Sequence, residues 1–209
     1  MVAIRSKFLT EYQDAAYAER YRNQVDKIRS AEAKIGGDGN LTKAVARNLF
    51  KLMAIKDEYE VARLYAETDF ASRVAKEFEG DYKIRFHLAP PLLAKPDPHT
   101  GNVKKMEFGP WMMTAFRWMA KARKLRGSVW DIFGRTEERR LERDLLADYE
   151  ATLVALVPVL SADNIATATK LAELPATVRG YGHVKLRSVV TYKTQREALK
   201  LTLGIRQTS

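Results

Sequence analysis

Cysteine is absent from all 209 residues. That excludes disulfides, a thiolate nucleophile, and any iron–sulfur cluster held by the chain's own thiolates. No apolar run approaches the ~20 residues of a membrane span. The opening stretch, MVAIRSKFLTEYQD, meets acidic residues too early for a signal-peptide core. Nothing argues for secretion, and the expected compartment is the cytoplasm. Histidine is scarce: His87, His99 and His183 are the three, and none is paired at helical metal spacing. They read as ordinary structural residues, with His183 the strongest chemical candidate because its neighbours are basic. There is no Gly-x-x-x-x-Gly-Lys phosphate loop, no Gly-x-Gly-x-x-Gly turn and no Gly-x-Ser-x-Gly elbow.

What is present is positive charge. Thirty-six Lys and Arg against 26 Asp and Glu give a net +10. Such a surface asks for an acidic partner: nucleic acid, an acidic protein, or the rest of a larger polypeptide. The 46% hydrophobic and 30% charged content is that of a globular domain. A chain this long buries about 70% of its unfolded surface, enough for a sizeable core.

Periodicity predicts a mainly α fold with one short β-hairpin, organised as a single domain: helical over 1–80, hairpin and proline-rich loop over 81–109, helical over 110–209. Phe8, Tyr12, Ala16, Tyr21, Val25 and Ile28 recur at three- and four-residue spacing and predict one long helix ending near Ile35. Gly36–Asn40 is turn chemistry. Asn40 or Thr42 is expected to cap a second helix whose apolar face runs from Val45 to Leu64. A third should run from about Asp69 to Phe78. Tyr82, Ile84 and Phe86 alternate with Lys83, Arg85 and His87, a strand pattern. Val103–Phe108 would return beside it after a proline-rich tip, and such a hairpin needs helices to pack on. Pro110 suits the start of a helix ending near Gly127. Thr136 should cap the next, with Glu137 and Glu138 favoured by the macrodipole. Its buried face is Leu141, Leu145, Tyr149, Leu153 and Leu156. Ser161 should cap Ala162–Leu174, stopped by Pro175. Gly180 and Gly182 frame a bend around Tyr181, and a last helix runs from His183 to Leu203.

Four strings carry a resemblance: Leu49–Tyr65 (LFKLMAIKDEYEVARLY), Phe78–Leu93 (FEGDYKIRFHLAPPLL), Phe108–Met112 (FGPWM) and Arg179–Lys185 (RGYGHVK). In this order they resemble the C-terminal region of the long, fused indolepyruvate:ferredoxin oxidoreductases, a branch of the thiamine-dependent 2-oxoacid oxidoreductases. The resemblance spans nearly the whole chain. It implies a parent enzyme that oxidatively decarboxylates arylpyruvates on thiamine diphosphate and Mg²⁺. The acyl group passes to coenzyme A, and electrons pass through iron–sulfur clusters to ferredoxin. None of those cofactors is expected on this chain. The family's thiamine motif opens on Gly-Asp-Gly and closes on paired Asn. Here Gly37-Asp38-Gly39 lies between two predicted helices, no Asn-Asn pair exists, and the triplet reads as a turn.

Lys56-Asp57-Glu58-Tyr59-Glu60-Val61-Ala62-Arg63 crowds three carboxylates together. Paired carboxylates can do acid–base chemistry, but the Lys56–Glu60 and Glu60–Arg63 spacings favour ion pairs in a buried network that fixes helix packing. Two regions are basic. Arg117, Lys121, Arg123, Lys124 and Arg126 face no acid between Glu107 and Asp131. Arg179, Lys185, Arg187, Lys193, Arg196 and Lys200 face only Glu197. Most such runs are solvated helix faces. The docking alternative centres on Arg126, Arg179, Gly180, Gly182, His183, Lys185 and Arg187, where glycines could present backbone N–H groups to an anion. The cluster of Trp111, Met112, Met113, Phe116, Trp118 and Met119 is bulkier than one helix face needs, so part of it reads as an interface.

The sequence therefore points to an accessory C-terminal domain of such an oxidoreductase, encoded separately or as a fragment, and inactive alone. Its expected partners are the catalytic portions of the enzyme and ferredoxin, with homo-oligomers open and no membrane role. The rival is a free-standing basic adaptor for an acidic protein or nucleic acid. Against nucleic acid, no zinc finger, RNP-like strand or helix-turn-helix spacing is evident. An independent enzyme has no motif behind it.

Overall fold

A computed structural model of the chain describes residues 1–88, 105–180 and 182–205. The proline-rich tip with His99, the bend residue Tyr181 and the side chain of His183 lie outside the described residues. The chain is mainly α, with one antiparallel pair of short strands. The helices are α1 (Val2–Tyr12), α2 (Ala15–Lys34), α3 (Asn40–Met53), α4 (Glu58–Ala66), α5 (Phe70–Glu77), α6 (Met112–Lys121), α7 (Glu137–Leu156), α8 (Ile165–Glu173) and α9 (Gly182–Thr202); the strands are β1 (Phe86–Leu88) and β2 (Met106–Phe108). The chain divides into two compact units, Met1–Ile55 with Arg140–Ser209, and Lys56–Arg139. Among the described residues, no helix is long and apolar enough to cross a membrane.

The first unit is built by α1, α2, α3, α7, α8 and α9 around one apolar cluster. Leu9, Tyr21, Val25, Ile28, Leu41, Leu49, Met53, Leu153 and Leu156 are all nearly inaccessible. Two buried tyrosines have their hydroxyls satisfied: Tyr21 donates to the Ala46 carbonyl at 2.8 Å and Tyr149 to that of Ala172 at 2.9 Å. Burial raises the Tyr149 phenol well above its usual value, so it stays neutral and donating.

The single long first helix expected from periodicity is two. Asp14 breaks it by capping α2, its carboxylate accepting the Tyr17 N–H at 2.8 Å. The cap of α3 is also not the expected one. Gly39, with φ +83°, precedes the helix, and neither Asn40 nor Thr42 caps it. The acceptor is Glu32, reaching across from α2 to take the N–H groups of Leu41 at 3.1 Å and Thr42 at 2.8 Å. A carboxylate at a helix N-terminus gains from both the orphan donors and the dipole, which explains a charged residue only 2% exposed. Gly37 is held tightly here. An added Cβ would sit 2.8 Å from the Ile165 side chain.

The second unit packs Ala62, Phe86, Met112 and Phe116 into a small core. Half-buried Tyr65 is its hub. It stacks on Phe116 with centroids 5.0 Å apart and meets Phe70 and Phe86 edge-on. Phe86 pairs with Phe108 and Leu88 with Met106 in the hairpin. The strand pattern extended back to Tyr82, yet β1 starts only at Phe86. Residues 82–85 have no ladder partner to hold them extended, and alternation without a partner is not a strand. The expected continuous second helix is likewise two helices, α3 and α4, separated by residues 54–57. Ser161 does not cap α8. The helix begins at Ile165, and Ser161 donates its N–H to the Asn164 side chain at 2.9 Å. Thr136 does accept the Arg139 N–H at 3.3 Å ahead of α7.

Candidate functional site

The bend before α9 belongs to the first unit. Pro175 opens a 3₁₀ turn, Leu174–Thr177, instead of ending the chain's helical run cleanly. The carbonyls of that turn converge on a cation absent from the sequence candidates: Lys51. Its Nζ donates to the Pro175 carbonyl at 2.7 Å, Val178 at 2.8 Å and Ala176 at 3.3 Å. An ammonium has three donors, and three carbonyls accept them. Burial first, then the charges of Arg179 and Lys185, lower the Lys51 pKa. A positively charged centre thus forms where the sequence pointed, but Lys51 is spent on the fold.

The other bend residues divide the same way. Gly180 adopts φ +90°, and a side chain there would press on Val184, with a new Cβ 2.7 Å from Val184 Cγ1. Arg179 donates its Nε to the Ala176 carbonyl at 2.9 Å and its N–H to the Ser188 hydroxyl at 3.2 Å. Lys185, expected as a docking cation, is mostly buried and ion-paired with Glu142 of α7. Gly182 begins α9 with φ +55°, and His183 lies in its first turn. Arg187 is exposed on α9 and has no ion pair among the described residues. The bend therefore offers Arg179 and Arg187 to solvent, and Lys51 and Lys185 hold it shut. Arg126, grouped with these by charge alone, belongs to the second unit.

There it completes the constellation around α4. Asp57 caps the helix by accepting the Glu60 N–H at 2.8 Å. The same carboxylate takes Arg126 in a forked pair, with Nη2 at 2.9 Å from Oδ1. The Arg126 guanidinium also lies over the Tyr59 ring, 5.4 Å from its centroid. Tyr59 donates to Asp131 at 3.3 Å. Burial, with the nearby Asp131, pushes its phenol up to about 12. Asp131 in turn accepts the N–H groups of Gly127 at 2.7 Å and Gly134 at 2.8 Å. Glu60 and Arg63 form a bidentate pair, both contacts 2.8 Å, with both side chains under a tenth exposed. The Lys56–Glu60 pair expected beside it is not formed, because Lys56 precedes the Asp57 cap and so lies off the helix whose four-residue spacing would bring the two together. Glu58 differs: Oε1 lies 3.7 Å from Arg139, and Oε2 is buried without a hydrogen bond. Burial raises its pKa, and Arg139 opposes the rise.

No three-carboxylate or histidine group able to hold a metal occurs among the described residues. Gly36–Asn40 is a turn, with Gly36 at φ +72° and the Asn40 N–H donated to Asp38 at 2.9 Å. Residues 1–198 match the model of a family described as a family of unknown function (DUF6537). The chain belongs to that family. It matches no curated protein and no solved structure.

One feature of this DUF6537 chain has a readable signal that charge and periodicity obscure. Asp57-x-x-Glu60 is a helix-start spacing, which would have placed the break between α3 and α4. Lys51 gave no local signal, because its partners are more than 120 positions away. An open groove of about 730 Å³ also lies in the first unit, with Ile28, Leu153, Val154 and Val157 among its lining residues, and none of the docking candidates lines it.

Proposed function

We propose that this chain is an accessory, mainly helical part of a long indolepyruvate:ferredoxin oxidoreductase, serving to buttress that enzyme rather than to carry its chemistry. One observation carries the reading. The four strings that resemble the enzyme's C-terminal region coincide with the structural nodes of both units. Leu49–Tyr65 contains Lys51, which ties down the bend, and Asp57, Glu60 and Arg63, which organise the second unit. Phe78–Leu93 and Phe108–Met112 supply Phe86 and Met112 to the aromatic core. Arg179–Lys185 is the bend itself. A resemblance concentrated on residues that shape the domain fits a domain whose shape is its contribution.

The experiment has two arms. The chain alone is incubated with indolepyruvate, coenzyme A, thiamine diphosphate and Mg²⁺, with ferredoxin as acceptor. The chain is then removed from the complete oxidoreductase, and assembly and turnover are followed. The expected results are no reduction by the chain alone, and loss of assembly or turnover on its removal. Reduction by the chain alone would overturn the accessory role. A complete enzyme indifferent to its removal would overturn the buttress.

A further inference from the structure

The outer face of α6 is built like an interface, with its large side chains exposed. Its inner face is accounted for, since Met112 and Phe116 are buried in the aromatic core and Ala120 is buried beside them on the helix. Opposite them, Trp111, Thr114, Trp118 and Lys121 follow one another at spacings of three, four and three, and all four are exposed. That spacing places them in one stripe along a helix. Trp111 is 61% exposed and Trp118 is 70% exposed. Leu125, in the 3₁₀ turn that follows, is exposed as well. Solvating two indoles on one helix face is costly, and tryptophan is the side chain most enriched at binding hot spots.

Charge defines the occupant. Lys121 closes the stripe and Arg117 and Lys124 lie beside it; all three are exposed and have no carboxylate partner among the described residues. The other cations of the segment are used elsewhere: Arg123 pairs with Glu67 at 2.7 Å, and Arg126 with Asp57. Between Glu107 and Asp131 there is no acid, and Asp131 is itself buried. From this we infer that the outer face of α6 is a docking site for an acidic amphipathic helix of a protein partner. The partner's aliphatic stripe would cover Trp111 and Trp118, and its flanking carboxylates would meet Arg117, Lys121 and Lys124. A helix suits the site because the two tryptophans lie one heptad apart along the same face. A stacked nucleic-acid strand suits it less. The Lys121 ammonium already lies over the Trp118 ring, 5.4 Å from its centroid, on a face a base would need. This inference goes beyond the oxidoreductase reading and does not depend on it.

The probe is a helical peptide of about three heptads with Leu at a and d and Glu at e and g, so that its own charges prevent self-pairing. Controls are the same peptide with Lys for Glu, and oligo(dT). Trp111→Phe with Trp130→Phe leaves Trp118 as the single tryptophan of the full chain. The expected result is a shift of Trp118 emission by the Glu peptide at roughly 10–100 µM, no shift by the Lys peptide, and weakening in about 0.5 M salt. Trp118→Ala and the pair Arg117→Glu with Lys121→Glu, read by peptide anisotropy, should each weaken binding at least tenfold. These residues are exposed, so unchanged circular dichroism is expected. No binding at about 1 mM Glu peptide, equal binding by Trp118→Ala, or binding of oligo(dT) in its place would each overturn the inference. None of those outcomes bears on the oxidoreductase assay.

Discussion

Met1–Ile55 with Arg140–Ser209 buries a continuous apolar cluster drawn from six helices, whereas the apolar cluster of Lys56–Arg139 has four buried members, ringed by half-buried aromatics. Charge burial runs the other way. Asp57, Glu60, Arg63 and Asp131 are buried in the second unit, against Glu32 and Glu150 in the first. A small core cannot exclude water by volume alone, so its order comes from partnered polar groups. In the large core the two buried carboxylates have separate tasks: Glu32 caps α3, and Glu150 pairs with Arg20. Hydrophobic packing tolerates graded loss, but a charge network loses its compensation with a single partner.

That contrast can be broken by substitution, and the chain carries a convenient probe. All three tryptophans, Trp111, Trp118 and Trp130, lie in the second unit. Their fluorescence follows that unit in denaturant, and hydrogen exchange in α3 and α7 follows the first.

The largest effect is expected from Arg63→Ala, which strands the Glu60 carboxylate in a dry setting. It should cost the second unit about 4 kcal/mol by the fluorescence transition. Glu60→Leu with Arg63→Met should recover most of that loss, because an apolar pair of similar volume needs no compensation. If the double variant is as damaged as the single one, the network is not what distinguishes this unit.

Leu49→Ala should come next, costing the first unit about 3 kcal/mol in exchange protection of α3. Leu49 is fully buried, and the loss is one of contacts and cavity. An equal loss in both probes would erase the comparison.

Glu32→Ala should cost about 2 kcal/mol, because the Leu41 and Thr42 N–H groups lose their acceptor in a buried place. Faster exchange should be confined to the first turn of α3. Loss spread evenly along the helix would mean that Glu32 does more than cap.

The smallest effect concerns pH. Burial raises the Glu58 carboxyl above its ordinary 4.5 in the folded protein. The folded state therefore holds that proton more tightly than the unfolded one. The stabilising contribution is complete below 4.5 and fades as pH rises through the folded-state value. Wild type minus Glu58→Gln, in the fluorescence transition, should fall over that window. A difference flat in pH would show that Glu58 is solvated enough to titrate normally.

Much of this architecture was legible because local periodicity reports helices directly. Spacing puts Leu145, Tyr149, Leu153 and Leu156 on the buried face of α7 and pairs Glu60 with Arg63, because three- and four-residue intervals fix which side chains are neighbours on a helix. The turn at Gly36–Asn40 and the hairpin ending at Phe108 followed from residue types that few other conformations accept. Helix breaks were harder. Asp14 and Asp57 end apolar patterns that continue across them, since caps act through one hydrogen bond and leave periodicity intact. The bend near Arg179 was located, but its composition suggested an open anion site.

The sequence by itself determined the helical class, the two basic segments and the absence of thiolate chemistry, since composition and spacing act over a few residues. Only the tertiary structure decided which charges remain for a partner. Lys51 and Lys185 are consumed by distant carbonyls and by Glu142, and Arg126 by Asp57, while Arg117, Lys121 and Lys124 stay in solvent. Positive residues of equal formal charge were sorted by contacts between segments far apart in the chain, and no local pattern encodes those contacts.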